Sequence, residues 1–254
     1  MNDERSGDSQ RAHQQRAKVA ERRSLGWRTL ALAYYEPTEE WIAALLDGVV
    51  AAALSESTRW QALDRERFGP GLEMLTEFVA RQQGRHPQDV LRDLKVEYAH
   101  LFIGAAGPMK APPYESVWRD KDPVFGVPIV LGASATAVES FYRRCGIRMA
   151  SSHRDLPDHV ATELEFMYFL SCKEQEAWES GDVEAAKGLR RGQREFMEEH
   201  LARWLPDFCG RVESAAEICL YAALACILRQ FLAVETGTAR AQGAPREAFG
   251  GGGR

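Results

Sequence analysis

Long apolar runs are missing from this 254-residue chain. The longest, Ile218 to Leu228, is fenced by Glu217 and Arg229 and falls well short of the ~20 residues that cross a bilayer, so no stable membrane insertion is expected. The first 21 residues hold no apolar core of the kind a cleaved secretion signal carries. Arg22 and Arg23 are not followed by an uncharged apolar stretch, because Arg28, Tyr34, Tyr35 and Glu36 interrupt it, so they read as a helix start rather than an export signal. Cysteine is sparse and unpaired: Cys145, Cys172, Cys209, Cys219 and Cys226 are odd in number and form no CxxC unit, which excludes a disulfide framework and a zinc site and suits reduced thiols. GxSxG, the phosphate-binding P-loop and a strand-led GxGxxG are all absent, so no enzyme and no cofactor is expected. No segment alternates apolar and polar residues as a strand does, and no internal repeat is present.

What is present is an ordinary globular composition, 45% hydrophobic and 27% charged. The net charge is −5, but residues 1–24 carry six Lys/Arg against four Asp/Glu and residues 236–254 three against one, which leaves −9 for residues 25–235. An acidic body excludes nucleic acid as a partner, since phosphate needs a basic face.

Every periodic segment has helical spacing, so the fold class is all-α, a single multi-helix domain over residues 25–235. Residues 1–24 read as a disordered or frayed extension and residues 236–254, with their run of glycines, as a flexible tail. Within the domain, helices are expected from Leu25 to Pro37, from a Thr38 cap through Trp41 to Ala52, and from Leu72 to Gly84 after a Gly69-Pro70-Gly71 turn. Others are expected from Pro87 to Ile103, from Ser134 to Gly146, from an Asp155 cap through Tyr168, from Asp182 to Trp204, and from Val212 to Val234.

Two stretches stand out. EYAHLFIGAAGPMKAPPYESVW, residues 97–118, begins as a helix and becomes a loop carrying Met109, two prolines, Tyr114, Val117 and Trp118; so apolar a loop either packs down or receives something apolar. DLPDHVATELEFMYFL, residues 155–170, places Asp158 and His159 in a first helical turn, where the helix dipole favours the carboxylate. Glu97 and His100 form one ExxH unit, but a di-iron bundle needs two, so they read as a partly exposed helical pair. His159 and Glu163, four apart, lack a third and fourth metal ligand.

These two stretches resemble the signature regions of the TorD/DmsD family of redox-enzyme maturation chaperones, to which NarJ is more distantly related, and HLARWLPDF with the apolar helix after it resembles the family's C-terminal pattern. The resemblance covers about Leu25 to Val234. It implies a cytoplasmic, TorD-like helical chaperone, monomeric or dimeric, whose partner is a molybdopterin oxidoreductase catalytic subunit and its twin-arginine signal peptide. By the same resemblance the client-binding residues are Tyr98, Leu101, Phe102, Gly104, Pro112, Pro113, Tyr114, Glu115, Ser116, Val117, Trp118, Asp158 and His159. Gly104-Ala105-Ala106-Gly107 stands where the family commonly has Gly-Pro. A guanine-nucleotide switch or enzyme and an assembly scaffold without peptide specificity are the competing readings.

Overall fold

The computed structural model describes residues 2–59, 64–104, 107–150 and 155–237. Eleven α-helices occur among them: α1 (Asn2–Ala33), α2 (Glu39–Leu46), α3 (Val49–Thr58), α4 (Asp64–Arg81), α5 (Pro87–Tyr98), α6 (Glu115–Arg119), α7 (Ala133–Arg144), α8 (Val160–Ser180), α9 (Val183–Glu199), α10 (Leu205–Ala215) and α11 (Cys219–Glu235). The described residues contain no strand, only two isolated bridges. The all-α expectation therefore holds.

Two helix pairs make the frame, α1 along α8 and α4 along α11, with α9 against α8, α10 against α11 and α3 against α1. α11 is buried on most of its surface, through Leu220, Tyr221, Leu224, Ile227, Leu228 and Phe231, because so apolar a helix is stable only when neighbours cover it all round. Trp27 of α1 meets Phe231 edge to face at 4.7 Å and joins the two pairs. No single helix among the described residues is long and apolar enough to cross a membrane; α2 and α3 pass that test together but are bent by 70°.

The structure corrects several expectations. The boundary at residue 24 disappears into α1, which continues across it and buries Ala17, Ala20 and Arg23. Arg16 lies over the Trp178 ring at 4.7 Å, and the Arg23 guanidinium donates to Glu174 at 2.6 Å, so this segment is anchored rather than frayed. The expected tail lies outside the described residues beyond Gly237. The helix from Thr38 is divided at Gly48, whose φ of 76° is left-handed, and the Gly69-Pro70-Gly71 turn is instead inside α4. A Cβ on Gly71 would stand 2.6 Å from Ile227 Cγ1, so the glycine serves the α4–α11 approach. α9 ends at Glu199, short of the expected Trp204, Pro206 lies in the first turn of α10, and a break over residues 216–218 separates α10 from α11.

Candidate functional site

The loop after α5 starts with a widened turn of helix, Ala99–Ile103, closed by Gly104 at φ 80°. Tyr98, Leu101 and Phe102 pin that turn in the core, and the Ala111 amide bonds back to the Leu101 carbonyl at 2.8 Å. The indole N–H of Trp118 donates to the Pro112 carbonyl at 2.7 Å, which folds the loop over its own prolines.

The segment before α8 clamps this loop. The Val160 amide donates to the Pro113 carbonyl at 2.8 Å, the Glu115 amide to the Asp158 carbonyl at 2.9 Å, and the Ser116 amide to Asp158 Oδ2 at 2.9 Å. Asp158 is wholly buried, and its Oδ1 has no hydrogen-bond partner. Burial raises its carboxyl above the usual range against the lowering effect of the Ser116 hydrogen bonds. His159 is also buried and caps α8, its Nδ1 accepting from the Ala161 amide at 3.2 Å.

Above the clamp lies a half-buried aromatic surface. The His159 ring stacks on Tyr35 at 6.0 Å with 9° between planes, and Tyr114 meets it edge-on at 5.3 Å. The Tyr35 hydroxyl bonds to Glu165 at 2.9 Å. Burial first, then neighbouring carboxylates, push the phenols of Tyr35, Tyr98 and Tyr114 upward, and Asp155 acts on all three, so it lies within electrostatic reach of each. Glu36, also felt by Tyr98, pairs with Lys95 at 3.0 Å across an exposed surface.

Below the clamp is a buried polar cluster. Glu115, fully buried, accepts from Arg119 and sits 3.0 Å from Nδ1 of His200. Beside it, equally buried, is Glu163, whose Oε2 accepts the Trp204 indole N–H at 3.1 Å. Burial, then the Glu115 charge and a hydrogen bond to Glu115, push the Glu163 carboxyl well above its ordinary value.

The family described as "Nitrate reductase delta subunit" matches residues 64–210, more than half of the chain. The chain belongs to the TorD family of redox-enzyme maturation chaperones. The protein named Chaperone protein TorD from Vibrio cholerae is 27% identical over 211 residues, 83% of this chain and 88% of its own length. The Selenate reductase assembly chaperone protein of Thauera selenatis is 39% identical over 74 residues, 29% of this chain and 37% of the relative, and the Chlorate reductase assembly chaperone protein of Ideonella dechloratans is 31% identical over 121 residues, 48% and 58%. These relatives are named as chaperones, not enzymes.

Of the TorD-family positions carried over from sequence, Tyr98, Leu101, Phe102, Pro113, Glu115, Ser116, Asp158 and His159 are buried, whereas Pro112, Tyr114, Val117 and Trp118 are half-buried at the surface. The clamp brings 112–118 and 158–159 together, while Gly104 only terminates the turn that launches the loop. Asp158 and His159 lie before α8 rather than within its first turn, and Asp155 does not cap it. Glu97 is buried, not partly exposed, and its Oε1 accepts from the amides of Glu217 at 2.6 Å and Ile218 at 3.1 Å. Glu97, His100 and Glu217 bring one ligand atom each to within 4.8 Å of one another, yet the Lys110 ammonium pairs with Glu217 at 3.0 Å, a poor setting for a cation. Sequence reasoning missed Tyr35, Glu165, His200 and Trp204 and took Glu163 only as a failed metal ligand. The Glu163 position in an otherwise apolar stripe was the one available signal, because a buried carboxyl needs a partner.

Proposed function

We propose that this chain is a cytoplasmic chaperone that binds the twin-arginine signal peptide, and through it the apo form, of a molybdopterin oxidoreductase catalytic subunit until its cofactor is inserted. The observation that carries this reading is the surface over the clamp, where Tyr35 and Tyr114 offer half-buried aromatic area beside Glu36, Asp155 and Glu165, with half-buried Trp118 on the same loop held to Pro112. A peptide with two guanidinium groups followed by an apolar helix needs both halves: aromatic area for most of the affinity, and carboxylates for bidentate pairing and orientation. Relatives named as selenate and chlorate reductase assembly chaperones support a reductase as the client class.

Calorimetry with a twin-arginine signal peptide and its twin-lysine counterpart, at low and high salt, tests this. Trp118→Ala, with helicity checked by circular dichroism, should cost on the order of 2 kcal/mol of binding at both salt levels. Equal affinity of parent and variant, or no preference for arginine over lysine, would place the client elsewhere.

A further inference from the structure

Glu163 is a buried acid that pairs with no cation among the described residues. Its Oε2 accepts the Trp204 indole, and its Oε1 meets no donor. The titratable groups that act on it are Glu115 from α6, Asp158 from the clamp and the Tyr142 phenol from α7. Arg119 and the ring of His200 face Glu115 instead. Ionising Glu163 would set a third buried carboxylate against Glu115 and Asp158. A carboxylic acid resolves the conflict, because its O–H supplies the donor that Oε1 lacks and Glu115 is the acceptor within hydrogen-bond range.

We propose that Glu163 is a protonated positioning residue, whose carboxylic O–H donates to the Glu115 carboxylate and fixes the start of α6, and with it Tyr114, Val117 and Trp118, against α8. The inference rests on the reading of residues 112–118 as the client-binding loop. Protonated, Glu163 is neutral and bridges α8 to α6 without placing its own charge beside the Glu115 carboxyl that Arg119 and His200 face. A glutamine keeps the geometry, with its amide N–H₂ toward Glu115 and its oxygen toward Trp204, but takes up no proton.

The first test is infrared difference spectroscopy at pH 7–8. A protonated carboxyl carbonyl band present in the parent and missing in Glu163→Gln supports the proposal, and its absence from the parent overturns it. The second is stability against pH. An acid whose folded value is raised contributes stability that is complete below the unfolded Glu value of about 4.3 and declines as pH rises toward the folded value. Above the unfolded value the folding constant of the parent should therefore fall with rising pH relative to Glu163→Gln, by at most about tenfold per pH unit and only until the folded value is passed; identical slopes would overturn the proposal. The third separates positioning from mere structure. Glu163→Ala should raise hydrogen exchange of amides 114–118, lower signal-peptide affinity by roughly tenfold or more and be rescued by Glu163→Gln, where unchanged exchange in Glu163→Ala counts against the proposal. If exchange responds but the parent itself binds no signal peptide, the client reading fails and the proton stands. The infrared and stability tests need only the glutamine variant, so an unfolded alanine variant leaves the proposal open to refutation.

Discussion

At the scale of single residues, neither Asp158 nor Asp155 sits where its position in the sequence suggested. Asp158 lies within the acidic-His pair that the resemblance singled out, and its carboxylate reaches the Ser116 amide 42 residues away and never meets solvent. A contact of that kind has no local signature. Asp155, read as a helix cap, is half-buried and within electrostatic reach of the phenols of Tyr35, Tyr98 and Tyr114. The two should separate experimentally. Asp158→Ala strands the Ser116 amide in a dry site and should lower stability by about 1–3 kcal/mol, and any accompanying loss of peptide affinity should persist at high salt. Asp155→Ala should leave the melting temperature nearly unchanged while weakening peptide binding by up to ~1 kcal/mol at low ionic strength, an effect that high salt removes. Thermal denaturation beside calorimetry at two salt concentrations decides the matter; matching behaviour of the two variants would show the assignment of roles to be mistaken.

At the scale of elements, the positions of most helices were legible because apolar residues recur three and four apart, whereas several of their ends were not. Thr38 was read correctly as a cap, its Oγ1 accepting from the Trp41 amide at 3.2 Å, because that bond spans three residues. The division of α10 from α11 escaped detection because its cap arrives from elsewhere. Ala215-Ala216 and the apolar run after them are compatible with uninterrupted helix, and only the Glu97 carboxylate, delivered by α5, takes up the amides of Glu217 and Ile218 and gives α11 a separate start. Gly69-Pro70-Gly71 misled for the complementary reason: turn-forming composition is overridden where a close α4–α11 approach requires a residue without a side chain. Glu97→Ala should therefore destabilise by roughly 1–3 kcal/mol through two orphaned amides, and Glu97→Gln, which retains an acceptor oxygen, should recover most of that loss in chemical denaturation. Equal losses in the two variants would show that volume, not capping, is what Glu97 supplies.

At the scale of the whole molecule, the fold class was readable and the N-terminal boundary was not. The segment before Leu25 looks polar, and what it buries is small: Ala17 closes a contact with Ala177, Trp178 and Ala186, and Ala20 is buried beside it in α1, which hydrophobic periodicity scarcely registers. Its strongest tie is ionic and equally hidden from composition. Arg23 enters the interior between Glu174 at 2.6 Å and Glu235 at 3.8 Å, and Gln193 and Arg190 complete a network that joins α1, α8, α9 and α11. Deleting residues 1–24 removes the only cation paired with Glu174 among the described residues while Arg190 still holds Glu235, and it bares the face of Trp178 under Arg16. Leaving one buried charge unpaired costs about 3–5 kcal/mol, and at this chain length each kcal/mol moves the melting temperature by roughly 2–4 °C. The truncated chain should therefore melt on the order of 10 °C lower. Arg23→Met in the full-length chain separates the two contributions, since it keeps the helical contact and removes only the charge; it should reproduce most of the drop. A truncated chain that melts with the parent would mean that α1 carries no weight before Leu25. A drop on truncation without one in Arg23→Met would assign it to Ala17, Ala20 and the Trp178 face rather than to the ion pair.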